Sequence, residues 1–282
     1  MLNNKFRLVL ALSAALALAL VSTGCRKLEA RDNLNKGVNA FKNAKYAEAS
    51  DFFVRAIELD PEFHTARLYL ATAYMSQYIP GADSPENLNY AKNAEDQFKK
   101  VLESDPKNTT AIESIASLYF MQSQGSQKLE DKLARLDTAA EWYRKLAEVE
   151  PTRKEAWYSL GVIAWGKWYP AWMEARNNAG MRPEDPGPLK DKKSRDELAA
   201  KYSEVIENGI KGLEKALEID KEYDDAMAYM NLLIRERADL ASDNATYEKD
   251  IEAADMWMQK ALETRKIKAE RAPKTQGITT EE

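Results

Sequence analysis

One pattern constrains the fold of this chain more than any other: positions that end an apolar stretch recur at nearly equal distances. These positions are Pro61, Pro106, Pro151, Lys221 and Lys266, and they stand 45, 45, 70 and 45 residues apart. Proline at the first three stops a helix, because it lacks the backbone N–H and clashes with the preceding turn. A fixed spacing of this size predicts a chain that is built from repeated supersecondary units.

Residues at fixed distances before each of these positions share their size and polarity. Twelve residues before stands a small residue, in the order Ala49, Ala94, Ala139, Gly209 and Ala254. Eight residues before stands a large apolar residue, in the order Phe53, Phe98, Tyr143, Leu213 and Met258. Small residues let two helices cross closely, and a large residue fills the space beside them. The columns therefore predict five helical hairpins.

The first of these hairpins, residues 30–61, resembles the tetratricopeptide repeat, a unit of about 34 residues. Its landmarks are Gly37, Phe41, Tyr46, Ala49, Phe53, Ala56 and Pro61. The fourth unit opens with Trp157, Leu160 and Gly161, which stand as in the W-x-x-L-G start of that family. The resemblance implies an all-α fold, a tetratricopeptide-like α-solenoid. The later spacing of 45 exceeds the family unit by about three helical turns, so most of the five hairpins are expected to have elongated helices.

The predicted organisation has four parts: a signal peptide at 1–24, a lipid anchor and short spacer at 25–29, the solenoid at 30–266 and a disordered tail at 267–282. The repeat units are expected at 30–61, 62–106, 107–151, 152–221 and 222–266, with an insertion at 170–194 in the fourth. Glycine and proline are concentrated within that insertion, which predicts an irregular stretch there.

The beginning of the chain has the pattern of a bacterial export signal. Lys5 and Arg7 precede an apolar run, Leu8 to Val21, that is shorter than the ~20 residues a membrane-spanning helix needs. The run ends in Val-Ser-Thr-Gly-Cys, which resembles a lipobox with Cys25 as the acylated residue, although Ser22 departs from the usual Leu. An ordinary signal peptide or an uncleaved anchor is the alternative interpretation.

The lipobox resemblance implies a protein that faces the periplasm and is held in the cell envelope by lipid on Cys25. In lipoprotein sorting, Asp directly after the acylated Cys favours the inner membrane. Arg26 stands at this position, which favours the outer membrane.

Composition argues against most kinds of chemistry. The chain carries a formal net charge of −5 with no clustered basic face, so nucleic acid is not expected as a partner. It has one His, His64, and one Cys, which leaves no pair for a zinc site or a Cys/His catalytic dyad. We expect no enzymatic activity, no metal and no cofactor.

The expected function is binding, because in tetratricopeptide arrays the first helices of successive units line a concave groove. Leu34 and Val38 replace the Lys and Asn with which some members hold C-terminal carboxylates, so a carboxylate clamp is not supported. The groove is instead expected to hold a helix or a hydrophobic segment of another protein. The predicted partner-binding residues are Phe41, Met75, Phe120, Tyr158, Val162, Trp165, Trp168 and Trp172.

Two interpretations of the tryptophan cluster remain open at this point. Trp168 and Trp172 are four residues apart and share a helix face, either as a partner contact or as core packing against the insertion. The leading functional hypothesis is a membrane-anchored scaffold in the assembly of an outer-membrane, pilus or secretion complex. The alternative is a carrier or sensor of an apolar ligand that uses the Trp-rich fourth repeat.

Overall fold

The computed structural model describes residues 24–271, and within this range the chain forms ten helices and no strand. The helices in chain order are α1 (24–42), α2 (Tyr46–Leu59), α3 (His64–Gln77), α4 (Pro85–Ser104), α5 (Thr109–Gln124), α6 (Leu129–Val149), α7 (Lys154–Asn178), α8 (Lys192–Ile219), α9 (Asp224–Ala238) and α10 (Asn244–Arg271). Five consecutive pairs of helices confirm the predicted all-α architecture. None of the helices in the described range combines the length and the apolar character that crossing a bilayer requires.

The elongated helices that the 45-residue spacing predicts are present, and they are mainly the second members of the pairs. Helix α2 has 14 residues, whereas α4, α6, α8 and α10 have 20, 21, 28 and 28. The start of α4 shows how sequence sets such a boundary. The Ser84 side chain accepts a hydrogen bond from the Asn87 backbone N–H, and Pro85 occupies the first turn, where its missing N–H costs nothing.

The chain divides into two units, Met1–Lys128 with α1 to α5 and Leu129–Glu282 with α6 to α10. In the first unit, α1 and α2 cross at Gly37, where a Cβ atom would lie 2.4 Å from the Phe53 ring. The second unit repeats this contact, because a Cβ on Gly161 would lie 2.4 Å from Leu213. The predicted fit of small against large residues at the helix crossings is therefore present in both units.

Two boundaries differ from those that the repeat pattern predicts. Residues 25–29, predicted as a spacer, already belong to helix α1. Residues 267–271, predicted as part of a disordered tail, continue α10, because Lys268 and Arg271 form ion pairs with Asp224 and Glu222 at 2.6 and 2.8 Å. Residues 1–23 of the predicted signal peptide and 272–282 of the predicted tail lie outside the described residues.

The predicted insertion at 170–194 is irregular only in its middle. Helix α7 continues through Pro170 to Asn178, and α8 begins at Lys192, which leaves 179–191 without helix. Apolar side chains hold this stretch against the neighbouring helices of the second unit, since Met181 and Leu189 are 2% and 1% exposed. The backbone N–H of Leu189 also donates to the Asp239 carbonyl oxygen at 3.1 Å.

Candidate functional site

Partly exposed aromatic rings of α7, of α9 and of the residue directly before α9 form a connected row in the second unit. We call this row the aromatic ladder, and its members are Tyr158, Trp165, Tyr169, Tyr223 and Tyr229. Tyr158 lies between Tyr223 and Tyr229, with ring centroids 5.0 and 5.7 Å apart. Trp165 continues the row, 5.8 Å from Tyr229 and 4.7 Å from Tyr169. Aromatic pairs at these distances stabilise each other by about 0.5–1.5 kcal/mol beyond the area that they bury, so the rings hold one another in a continuous apolar row.

The ladder carries phenol groups that stay protonated at neutral pH. Burial raises the pKa of Tyr158, with Tyr229 and Asp225 adding to the effect. Burial likewise raises the pKa of Tyr229, and that of Tyr223 to about 12. Within residues 24–271 none of these three hydroxyl groups makes a hydrogen bond, so each can donate one to a bound partner.

The first end of the ladder is next to a charged pair. The Lys154 ammonium lies 4.7 Å from the centre of the Tyr223 ring and 2.5 Å from an Asp220 carboxylate oxygen. The Lys154 hydrogen bond is the main reason why the pKa of Asp220 lies below its usual range. Asp220 therefore keeps its charge at neutral pH, and the pair marks a polar border to the apolar row.

Trp165 is oriented by a buried carboxyl group on α9. Its indole N–H donates to Glu236 Oε1 at 2.9 Å, and Glu236 is 4% exposed. Burial raises the pKa of Glu236 to about 8, against the opposing effect of the Trp165 N–H. The Trp168 N–H also opposes the shift, although it makes no hydrogen bond of good geometry within the described residues. Glu236 therefore holds a proton at neutral pH and fixes the Trp165 ring.

Trp168 and Trp172 belong to the core and not to the binding surface, which corrects their prediction as partner contacts. Trp168 is 0% exposed and its ring lies 5.4 Å from that of Tyr202. Trp172 is 7% exposed and donates to Asp239 Oδ2 at 2.6 Å. Asp239 also pairs with the guanidinium of Arg176, so the second half of α7 ends in a buried polar network.

The remaining predicted residues are split between the two units. Tyr158 and Val162 lie on α7 with Trp165, and all three are partly exposed. In the first unit Phe41, Met75 and Phe120 are also partly exposed, on α1, α3 and α5 respectively. Their role in binding stays a prediction.

The sequence prediction missed Tyr223 and Tyr229 as members of the aromatic row. By position in the repeat, the sequence indicates Ala228, Leu232 and Arg235 as the groove residues of the fifth unit. Tyr229 is the neighbour of Ala228 and contacts α7. An aromatic side chain next to a predicted groove position was the signal that could have identified it.

A separate cavity of about 680 Å³ opens between α6, α7 and α8. Its walls include the apolar side chains of Trp157, Leu160 and Ile163, together with Gly209 and Gly212 of α8. Basic side chains outnumber acidic ones around it: they are Arg144, Lys167, Lys211 and Lys215 against Glu214 and Glu218. The cavity therefore has an apolar floor and a rim of net positive charge.

Two single residues complete the inventory of reactive groups. Cys25 is exposed at the start of α1, and its thiol is accessible. His64 is exposed, and its Nδ1 lies 3.2 Å from Ser104 Oγ. The part of the chain that the structure describes contains no cluster of three or more potential metal ligands.

Comparison with known proteins identifies the fold. The family model described as tetratricopeptide repeat matches residues 33–63. Among solved structures, MamA 41-end from Desulfovibrio magneticus RS-1 is similar at 15% identity, over 85% of this chain and 96% of that chain, with a TM-score of 0.53. The MamA RS-1 ArsTM double mutant is similar at 15% identity, over 86% and 97% of the two chains, with a TM-score of 0.54. A comparison with curated proteins gives no match.

The matched repeat and the similar structures agree with the geometry of the helix pairs. Residues 33–63 cover α2 and most of α1, where Gly37 receives the Phe53 ring. At 15% identity the similarity to MamA concerns the fold alone. Residues 33–63 match the tetratricopeptide repeat, and the chain as a whole has a tetratricopeptide-like α-solenoid fold.

Proposed function

We propose that this protein is a membrane-anchored scaffold of the bacterial envelope that binds another protein. In this proposal lipid on Cys25 anchors it at the periplasmic side, in the outer membrane rather than the inner. Its place is in the assembly of an outer-membrane, pilus or secretion complex. The lipobox resemblance and the exposure of Cys25 support the anchor, and the tetratricopeptide fold supports the scaffold.

The aromatic ladder is the observation on which the binding function rests. Partly exposed Tyr and Trp rings are enriched at the energetic centres of protein interfaces, because they bury a large area at a small entropic cost. Three hydroxyl groups without a hydrogen bond inside residues 24–271 add directional donors to this apolar surface. The combination fits a helix or hydrophobic segment that presents carbonyl or carboxylate oxygens beside its apolar side chains.

The test is photo-crosslinking in intact cells with a photoreactive residue at Val162, between Tyr158 and Trp165 on α7. A single partner should be captured, and Tyr229→Ala in the same chain should reduce the capture about tenfold or more. Tyr90→Ala is the matched control, because Tyr90 is a partly exposed tyrosine of the first unit. Equal capture with both variants would contradict the ladder as the binding site.

The cavity between α6, α7 and α8 supports a second candidate, the carrier or sensor of an apolar ligand. Its apolar floor and basic rim fit an anionic amphiphile such as a fatty acid. Trp157 lines the cavity, so palmitate should change the tryptophan fluorescence of the wild-type chain and change that of Trp157→Phe much less. Equal responses of the two chains, or none, would argue against this candidate.

A further inference from the structure

Helix α10 exposes apolar residues at repeat positions where the other second helices bury theirs. Eight residues before each helix-ending position, Phe53, Phe98, Tyr143 and Leu213 are 0%, 0%, 8% and 0% exposed. The residue of α10 in the same column, Met258, is 39% exposed. The column four residues nearer the helix end is also apolar in all five units: it consists of Ile57, Leu102, Ala147, Leu217 and Leu262. Leu262 is 58% exposed.

The difference arises because, in the other units, the next helix covers the apolar residues of these columns. In the first unit the Phe53 ring stacks on Tyr69 of α3, at 5.5 Å between centroids. Within residues 24–271 no helix follows α10, so its two apolar columns have no such cover. Outward faces of repeat arrays are ordinarily polar, and α1 follows this rule with exposed Arg31 and Lys36. Helix α10 breaks it.

The exposed residues belong to a regular stripe along one face of the helix. We call it the α10 stripe: it consists of Ile251, Asp255, Met258, Leu262, Arg265 and Ala269. Alternating steps of four and three residues keep all six on one side of the helix. The order along the helix is apolar, acidic, apolar, apolar, basic, apolar. Two such stripes that run in opposite directions therefore place apolar residues opposite apolar ones and acidic residues opposite basic ones.

We propose that the α10 stripe is an interface with a second copy of this chain, in which the two α10 helices pack antiparallel about a two-fold axis. With the axis halfway between Met258 and Leu262, each Met258 packs against the Leu262 of the other copy. Each Asp255 then meets the Arg265 of the other copy. A two-fold interface requires a self-complementary surface of this kind.

The charge along α10 selects the antiparallel orientation. Residues 244–255 carry four acidic side chains and one basic, a net charge of −3. Residues 256–271 carry five basic side chains and two acidic, a net charge of +3. An antiparallel pair brings the acidic half of each helix to the basic half of the other, whereas a parallel pair sets like charges together.

The two charged residues of the stripe remain accessible despite their partners within the chain. Asp255 pairs with Arg235, and its side chain is 58% exposed. Arg265 pairs with Asp224 and Asp225, and its side chain is 51% exposed. Each therefore has free hydrogen-bonding capacity on its outer side, and the cross-pairs extend existing ion pairs into a network.

Disulfide capture tests the orientation in the full chain with Cys25→Ser, which removes the single native thiol. In the antiparallel pair, residue 251 of one copy faces residue 269 of the other, while the two residues 251 are about 27 Å apart along the axis. A mixture of Ile251→Cys and Ala269→Cys chains should therefore form a disulfide-linked heterodimer, and neither variant alone should crosslink. Self-crosslinking of each variant without heterodimer would overturn the proposal.

Sedimentation of the same full chain tests whether the dimer forms and whether the α10 stripe is its interface. Leu262→Glu should raise the dimer dissociation constant about tenfold or more, because each of the two copies places the substituted residue in the interface. Met256→Glu is the control, since Met256 is 59% exposed on α10 but lies off the stripe. Circular dichroism should show equal helix content in both variants.

Three sedimentation results would overturn the proposal. They are a monomeric wild-type chain at high micromolar concentration, equal effects of the two substitutions, and a chain that dimerises only after removal of residues 272–282. The last result would mean that this segment, and not a second copy, covers the stripe.

Discussion

At the scale of single residues, a buried carboxyl group determines how the candidate binding surface is presented. Glu236 accepts the indole N–H of Trp165 and is almost fully buried, so the flat face of the indole can contact a partner. The second oxygen, Glu236 Oε2, has no hydrogen-bond partner within residues 24–271. A neutral carboxyl group tolerates this environment far better than a carboxylate does, and the protein keeps the group protonated.

The raised pKa of Glu236 makes the stability of the protein depend on pH. The folded state binds its proton up to a pKa of about 8, whereas the unfolded chain loses it near 4.5. This contribution to the free energy of unfolding is complete below pH 4.5 and is lost as the pH rises towards 8. Glu236→Gln should flatten this dependence by an amount on the order of 4 kcal/mol between pH 5 and 9. Urea unfolding at pH 5, 7 and 9 measures it, and equal slopes for the two proteins would contradict the prediction.

At the scale of helices, the approach of α7 to α8 depends on glycines in both. A Cβ atom on Gly161 would lie 2.4 Å from Leu213, and one on Gly209 would lie 2.4 Å from Ala164 Cβ. Distances this short do not occur between real side chains, so neither helix can accept a larger residue there without moving. The close crossing of α7 and α8 in turn positions the aromatic ladder on α7.

Gly161→Ala should therefore destabilise the second unit by about 1–3 kcal/mol, since it overpacks a tight helix crossing. Gly166→Ala in the same helix is the matched control, because its Cβ would lie 3.5 Å from the Leu136 side chain, an ordinary contact. That variant should gain up to about 1 kcal/mol from the higher helix propensity of Ala. Thermal unfolding followed by circular dichroism compares them, and a loss in both would show that helix packing does not distinguish the two sites.

The sequence predicted the helix pairs well because their columns depend on local spacing, which the chain displays directly. It did not determine which face of α7 is buried. Trp165, Trp168, Tyr169 and Trp172 follow an i, i+3, i+4, i+7 spacing and share one face of the helix, so periodicity does not show which of them are core and which are surface. The distinction depends on Glu236, which is 71 residues from the Trp165 that it binds, and on similar distant contacts. Such contacts leave no local pattern in the sequence.

At the scale of the whole molecule, the two ends of the described chain present different surfaces. Helix α1 begins by residue 24 and carries mostly polar residues outward, with Leu28 as a single exposed apolar residue, while α10 carries the apolar stripe. Cys25 is thus part of a regular helix, without the predicted spacer before the first repeat. Acyl chains on this residue would place α1 directly at the bilayer surface, and two or more chains would be needed for stable anchoring.

The anchor is testable through Cys25 and the residue beside it. Palmitate supplied to cells should label the wild-type protein, and Cys25→Ser should lose both the label and the association with membranes. Arg26→Asp should keep the label but shift the protein from outer-membrane to inner-membrane fractions in a density gradient, since Asp after the acylated Cys favours the inner membrane. Arg26 is exposed, and within residues 24–271 its guanidinium donates to the Glu58 carbonyl oxygen, at 3.1 Å, and to no side chain, so the fold should tolerate the change. A protein that stays unlabelled, or membrane-bound after Cys25→Ser, would contradict lipid anchoring while leaving the binding role of the aromatic ladder open to its own test.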